Sequence, residues 1–164
     1  MTFETLNDLF LEQTQDLYDA ESRLVEALPK MAEGAKTREL QQAFRNHLKE
    51  TKVHVTRLEQ VFEAIDEKPK KKTCHAMKGL LKEGEEALEA EGDERVRDAA
   101  LIAAAQRVEH YEIASYGTLR ALAEHLDMPD VAKLLQQTLD EEGEADKKLT
   151  SICEENVLAK VGRA

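Results

Sequence analysis

Along most of this chain apolar residues recur every three or four positions with polar ones between them, the repeat of a helix that buries one face. Four long segments carry the pattern. The first spans about residues 5–35 with Pro29 inside it, and a proline there removes a backbone donor and is expected to bend the helix near LPKM. Gly34, Lys36 and Thr37 make a tight turn into the second segment, about 38–65. The run DEKPKKK at 66–72 breaks the pattern, a shorter helix follows over about 74–90, and EGD at 91–93 ends it. The third long segment covers about 94–126. The turn DMPD leads to the fourth, about 130–158, and the tail LAKVGRA is expected to fray.

Two hairpins with short turns are thus joined by one long connection, residues 66–93. An up-down-up-down bundle needs only short loops, whereas a single long crossover is the ferritin-like arrangement. The expectation is an all-α, ferritin-like four-helix bundle whose crossover carries a short extra helix, one domain over residues 1–164.

Acids interrupt the apolar stripes. In the first segment Phe10, Thr14, Leu17, Glu21, Leu24, Leu28 and Met31 step by fours and threes, with Glu21 inside the row. The third carries Ile102, Ala105, Glu109, Glu112, Tyr116 and Leu119, and the fourth Leu135, Thr138, Glu142, Ala145 and Leu149, with Asp146 on the border. The second places His47, Glu50 and His54 on one face beside a wholly apolar row. With equal rise on antiparallel helices, Glu21 about 15 residues before the first turn lies level with Glu50 about 14 after it, and Glu109 is nearly level with Glu142. Carboxylates converging in a dry core repel one another unless cations meet them.

Two divalent metals would resolve that repulsion. Di-metal bundles take one Glu from each of two helices and a Glu-x-x-His pair from each of the others. Glu21 and Glu109 supply the single positions. For the pairs the sequence offers Glu50 with His54 and Glu142 with Asp146, four apart rather than three, and His47 competes with His54 for the imidazole place. Glu112 adds a further carboxylate. Such an oxygen-rich set with one imidazole favours iron or manganese over zinc or copper. Tyr116, one turn past Glu112, reads first as core filler, with a hydrogen bond to a ligand carboxylate as the alternative.

Composition narrows the surroundings of this site. The 164 residues carry a formal net charge of −11, which argues against nucleic acid or an anionic membrane as partner. The basic run KPKKK has no interleaved aromatics and reads as a solvated linker. Cys74 and Cys153 form no metal-binding or disulfide pattern and are expected as reduced thiols. The N-terminus lacks the basic start of a signal peptide, and no apolar run approaches the roughly 20 residues of a membrane span. A cytoplasmic location is expected.

Several stretches together resemble the YciE/YciF family of stress-associated, ferritin-like bacterial proteins: LNDLF, YDAE around Glu21, ALPK, AFRNHLKET around Glu50, RVRDAALIAAAQRVEHYEIASYGTL, and LLQQTLDEE into Glu142. The resemblance implies a ferritin-like bundle, a di-metal centre within one chain and a homodimer. It is also similar to rubrerythrin-like proteins, whose Glu-x-x-Glu is matched by Glu109 and Glu112. Their Glu-x-x-His pairs are not reproduced, since Val53 and Ala145 stand at those positions.

The expected function is a non-haem di-iron or di-manganese protein that reacts with O2 or peroxide in stress response, as a ferroxidase or peroxidase. Its expected ligands are Glu21, Glu50, His54, Glu109, Glu112, Glu142 and Asp146. A non-enzymatic dimeric stress protein with a structural di-metal site is the alternative, and cage storage a third. No Ser/His/Asp arrangement or phosphate loop offers a rival centre.

Overall fold

The computed structural model describes residues 2–161. Five helices follow one another: α1 (Leu6–Gly34), α2 (Arg38–Ala64), α3 (His75–Glu89), α4 (Glu94–His125) and α5 (Pro129–Ile152). Local chemistry sets their ends. Thr5 caps α1 reciprocally with Asp8: the Asp8 N–H donates to Thr5 Oγ1 at 3.1 Å and the Thr5 N–H to Asp8 Oδ2 at 2.8 Å. Asp93 Oδ1 accepts from the backbone N–H groups of Arg95 and Val96 to start α4. Pro129 opens α5, where its missing N–H costs nothing. Gly92 takes φ +123 between α3 and α4, a conformation that a side chain would strain. α1 runs helically through Pro29.

The bundle pairs α1 with α2 and α4 with α5; α1 also meets α4, and α2 meets α5. The crossover chain passes over α1, where the Lys72 N–H donates to the Gln15 carbonyl and its ammonium pairs with Glu12. α3 then packs against α4 and α1, so closely that a Cβ on Gly34 would collide with Leu88. The α1–α2 turn is held from α4, where the fully buried Asp98 accepts from the backbone N–H groups of Lys36 at 2.9 Å and Thr37 at 2.6 Å.

The last segment departs from the expected helix to residue 158. Its regular part ends at Ile152, followed by a π-helical turn (Cys153–Val157) and a 3-10 turn (Leu158–Lys160). The wider turn rotates Val157 fully into the core. Of the tail expected to fray, residues 162–164 lie outside the described residues.

The apolar interior divides into two clusters. One gathers Leu24, Leu28, Leu40, Phe44, Ile102 and Leu149; the other gathers Phe10, Leu17, Leu58, Tyr116, Leu119 and Leu135. Along each long helix the gap between the clusters falls at the same height, and polar side chains occupy it.

Candidate metal centre

Every long helix contributes to that gap. α1 supplies Glu21, α2 supplies His47 and His54, α4 supplies Glu109 and Glu112, and α5 supplies Glu142, all with 6% exposure or less. Glu109 and Glu112 share a face because they are three residues apart. His47 and His54 share one because seven residues are almost two full turns.

The atoms converge in two groups. His47, Glu109, Glu112 and Glu142 each offer a ligand atom within 4.8 Å of the others, and so do Glu21, His54 and Glu142. Glu142 belongs to both, which makes it the natural bridge. His47 Nε2 lies 3.4 Å from Glu109 Oε2 and 3.8 Å from Glu142 Oε2. His54 Nδ1 lies 2.9 Å from Glu142 Oε1 and 3.4 Å from Glu21 Oε1. These are close approaches without hydrogen-bond alignment, and both ring nitrogens are left without a partner. Both oxygens of Glu112 and of Glu142, with Glu109 Oε2 and Glu21 Oε2, are likewise buried and unpaired.

Buried polar atoms are nearly always satisfied in proteins, so eight orphans pointing into one volume call for an occupant. Four carboxylates and two imidazoles are the donor set of a pair of divalent ions that prefer oxygen and tolerate nitrogen. The group could hold metal.

The outer nitrogen of each histidine faces a second carboxylate. His54 Nε2 lies 2.9 Å from Glu141 Oε2, and Arg57 grips Glu141 with two hydrogen bonds at 2.5 and 2.9 Å. Arg57 also donates to the buried Thr138 hydroxyl. His47 Nδ1 lies 3.4 Å from Glu50 Oε2. A carboxylate behind a histidine fixes which nitrogen faces inward, the usual support of a metal-binding imidazole. Tyr116 fits both readings given for it: it is buried in the core and donates to Glu21 Oε1 at 2.5 Å.

The charges follow from this crowding. Burial drives the Glu109 and Glu112 carboxyls well above the ordinary range, with neighbouring carboxylates adding to the effect. Glu21 is raised by burial too, although His54 opposes the shift. Glu142 is held low despite its burial, because both histidines lie against it. Burial alone would lower the histidines; the carboxylates beside them win, pushing His47 up to about 9 and His54 to about 10.

Of the seven expected ligands, the structure brings together Glu21, His54, Glu109, Glu112 and Glu142. It does not bring in Glu50 or Asp146. The Glu50 side chain is 49% exposed on the outer side of His47. Asp146 accepts from Gln106 Nε2 at 2.9 Å and faces the exposed His110. Both acids sit on the border of their helical stripe, and the rotation of α2 and α5 in the bundle turns them outward. His47 and His54, expected to compete for one place, fall in different groups. Glu141 and Arg57 escaped the sequence reading. The signal was Arg57, one turn past His54, which needed a carboxylate that only the α2–α5 packing supplies.

A ferritin-like bundle with a buried carboxylate–histidine cluster is the class that fold and site define. The chain belongs to the family described as a domain of unknown function, DUF892, whose model matches residues 5–162. It is 48% identical over 161 residues to Protein YciF of Escherichia coli (strain K12), covering 98% of this chain and 97% of that protein. The crystal structure of the E. coli stress protein YciF superposes with a TM-score of 0.93 at 47% identity, over 97% of this chain and 100% of that one. YciE/YciF membership is therefore shown. Ferritin-like, diiron-carboxylate proteins from Bacillus anthracis str. Ames share the fold at a TM-score of 0.69 and 14% identity, over 93% and 100% of the two chains. Among the described residues no helix is long and apolar enough to cross a membrane.

Proposed function

We propose that this chain is a non-haem di-metal carboxylate protein, with iron or manganese as its metal, that reacts with O2 or peroxide as a ferroxidase or peroxidase. The observation that carries the reading is the set of unpartnered, buried ligand atoms on six side chains from four helices. His47, Glu109, Glu112 and Glu142 would hold one ion, and Glu21, His54 and Glu142 the other. Bound there in the divalent state, such ions would be the source of electrons for O2 or peroxide.

The chain's own residues set the conditions for that chemistry. Glu141, clamped by Arg57, holds His54 Nε2 so that Nδ1 turns inward. Tyr116 fixes one oxygen of Glu21 and leaves Oε2 free to ligate. The two apolar clusters exclude water above and below, which strengthens every charge interaction between them. Protons carried by Glu109, Glu112 and the histidines leave when ions bind.

Similarity to a stress protein supports a stress role, and we extend the proposal to a cytoplasmic homodimer. Protein loaded anaerobically with Fe(II) should retain about one ion for each of the two groups. Adding O2 or peroxide should then raise near-ultraviolet ferric absorption as oxidant is consumed. Folded protein that keeps only traces of iron and manganese refutes the reading. Retained metal without redox turnover would make the centre structural. Size-exclusion mass separates a dimer from a cage.

A further inference from the structure

A groove of about 1080 Å3 runs between α2 and α5, and its floor reaches His47 and Glu109. Those two are the only members of the ligand groups that line it; Glu21, His54, Glu112 and Glu142 lie behind them. Both are at least nine-tenths buried, at 6% and 3% exposure, and His47 Nε2 and Glu109 Oε2 have no partner. The walls beside them are acidic: Glu50 on α2, with Asp140, Glu141 and Glu144 on α5. Glu141 is held by Arg57 and Glu144 is paired with Lys147, while Lys148 and Arg38 also line the groove. Glu141 also touches an inner ligand, His54, but Arg57 holds it. Glu50, 49% exposed and 3.4 Å from His47, is the wall acid in contact with an inner ligand that no Arg or Lys grips among the described residues.

We infer that this groove is the entry route for the divalent cations, that Glu50 is the capture ligand at its end, and that the ions load in order. The inference rests on the di-metal reading. A cation drawn to the acidic wall meets the Glu50 carboxylate first, then His47 and Glu109. The group of Glu21, His54 and Glu142 has no wall on the groove, so its ion passes through the outer group and crosses at Glu142, the ligand the two groups share. This gives Glu50 a role other than the resident ligation expected of it, since its place outside His47 suits transfer rather than permanent coordination.

The test uses cobalt(II) as an anaerobic, spectroscopically visible probe on the full chain, with rates from stopped-flow absorption and final content from elemental analysis. Wild-type protein should fill in two phases. Glu50→Gln, which keeps the shape and removes the charge, should slow both phases about tenfold, in line with the loss of electrostatic steering. Because it also weakens the support of His47 Nδ1, its content is read at saturating cobalt, where both groups should still fill. Ala145→Phe, which narrows the groove from the opposite wall and leaves Glu50 in place, should slow uptake in the same way. Rates within twofold of wild type in both variants would overturn the route while leaving the di-metal site standing. A group left empty at saturating cobalt in Glu50→Gln, while Ala145→Phe still fills both, would overturn the transfer role by making Glu50 a resident ligand. Wild-type protein that binds no cobalt would sink the di-metal reading and the route with it.

Discussion

Glu112 gives the sharpest test of whether the core is built for metal or for stability. Its side chain is fully buried, and neither carboxylate oxygen has a partner. Without metal the group is costly in either protonation state: charged, it is desolvated among like charges; neutral, it leaves polar atoms unsatisfied. An unsatisfied buried polar group costs about 1–3 kcal/mol. Replacing even a buried ion pair by apolar side chains of similar volume is often neutral or stabilising by about 1–4 kcal/mol, and Glu112 has no hydrogen-bond partner to lose. Glu112→Leu should therefore stabilise the metal-free protein by about 2 kcal/mol, a rise of about 4–8 °C in Tm for a chain of this size. Glu112→Gln, which keeps polar atoms in the gap, should gain less.

The pH dependence has a definite sign. Because burial raises the folded-state pKa of Glu112, the folded protein binds more protons than the unfolded one above pH 4.5. Wild-type stability falls as pH rises from there towards the folded-state pKa, so the leucine variant's advantage widens over the same window. The assay is thermal unfolding followed by circular dichroism in excess chelator, at pH 5 and pH 7.5, repeated with Mn(II). In metal the order should reverse, since the variant lacks a ligand of one group and gains less binding energy than the wild type. A metal-free Glu112→Leu protein less stable than wild type would refute the reasoning and make Glu112 a structural residue.

Two further outcomes follow from the same geometry. Glu141→Gln leaves the backbone untouched but weakens the anchor of His54 Nε2, and metal affinity in chelator competition should fall about 10–100-fold; unchanged affinity would mean that His54 does not depend on this support. Protons also compete with the ions: His47 and His54, raised to about 9 and 10, carry protons at pH 7 in the metal-free protein. Their stabilising charge is fully present below pH 6.5 and lost as pH climbs through those values, while metal affinity moves the other way, rising with pH and levelling above about 10. Calorimetry in two buffers of different ionisation heat should find net proton release at pH 7, and none released would contradict the assignment of these nitrogens as ligands.

The helices were legible because each is amphipathic over many turns, and caps such as Thr5 with Asp8 and Asp93 are local chemistry. The crossover topology followed from loop lengths alone. Glu21, Glu109, Glu112 and Glu142 were legible from helical spacing, each set in the middle of an apolar row where only an inward direction is available. The π turn after Ile152 was not legible, since it depends on Val157 finding a place in the core.

Border residues were decided by the tertiary structure. Glu50 sits about 60° round the helix from His47 and about 40° from His54, so small changes in the rotation of α2 turn it in or out. Asp146 stands in the same relation to Glu142. That rotation is set by how α2 and α5 pack against their neighbours, which no spacing within one helix records. The sequence determined by itself that acids would meet in this core. The packing of four helices decided which atoms meet, sent Glu50 to the mouth of a groove, and placed Arg57 and Glu141 where they hold a histidine in position.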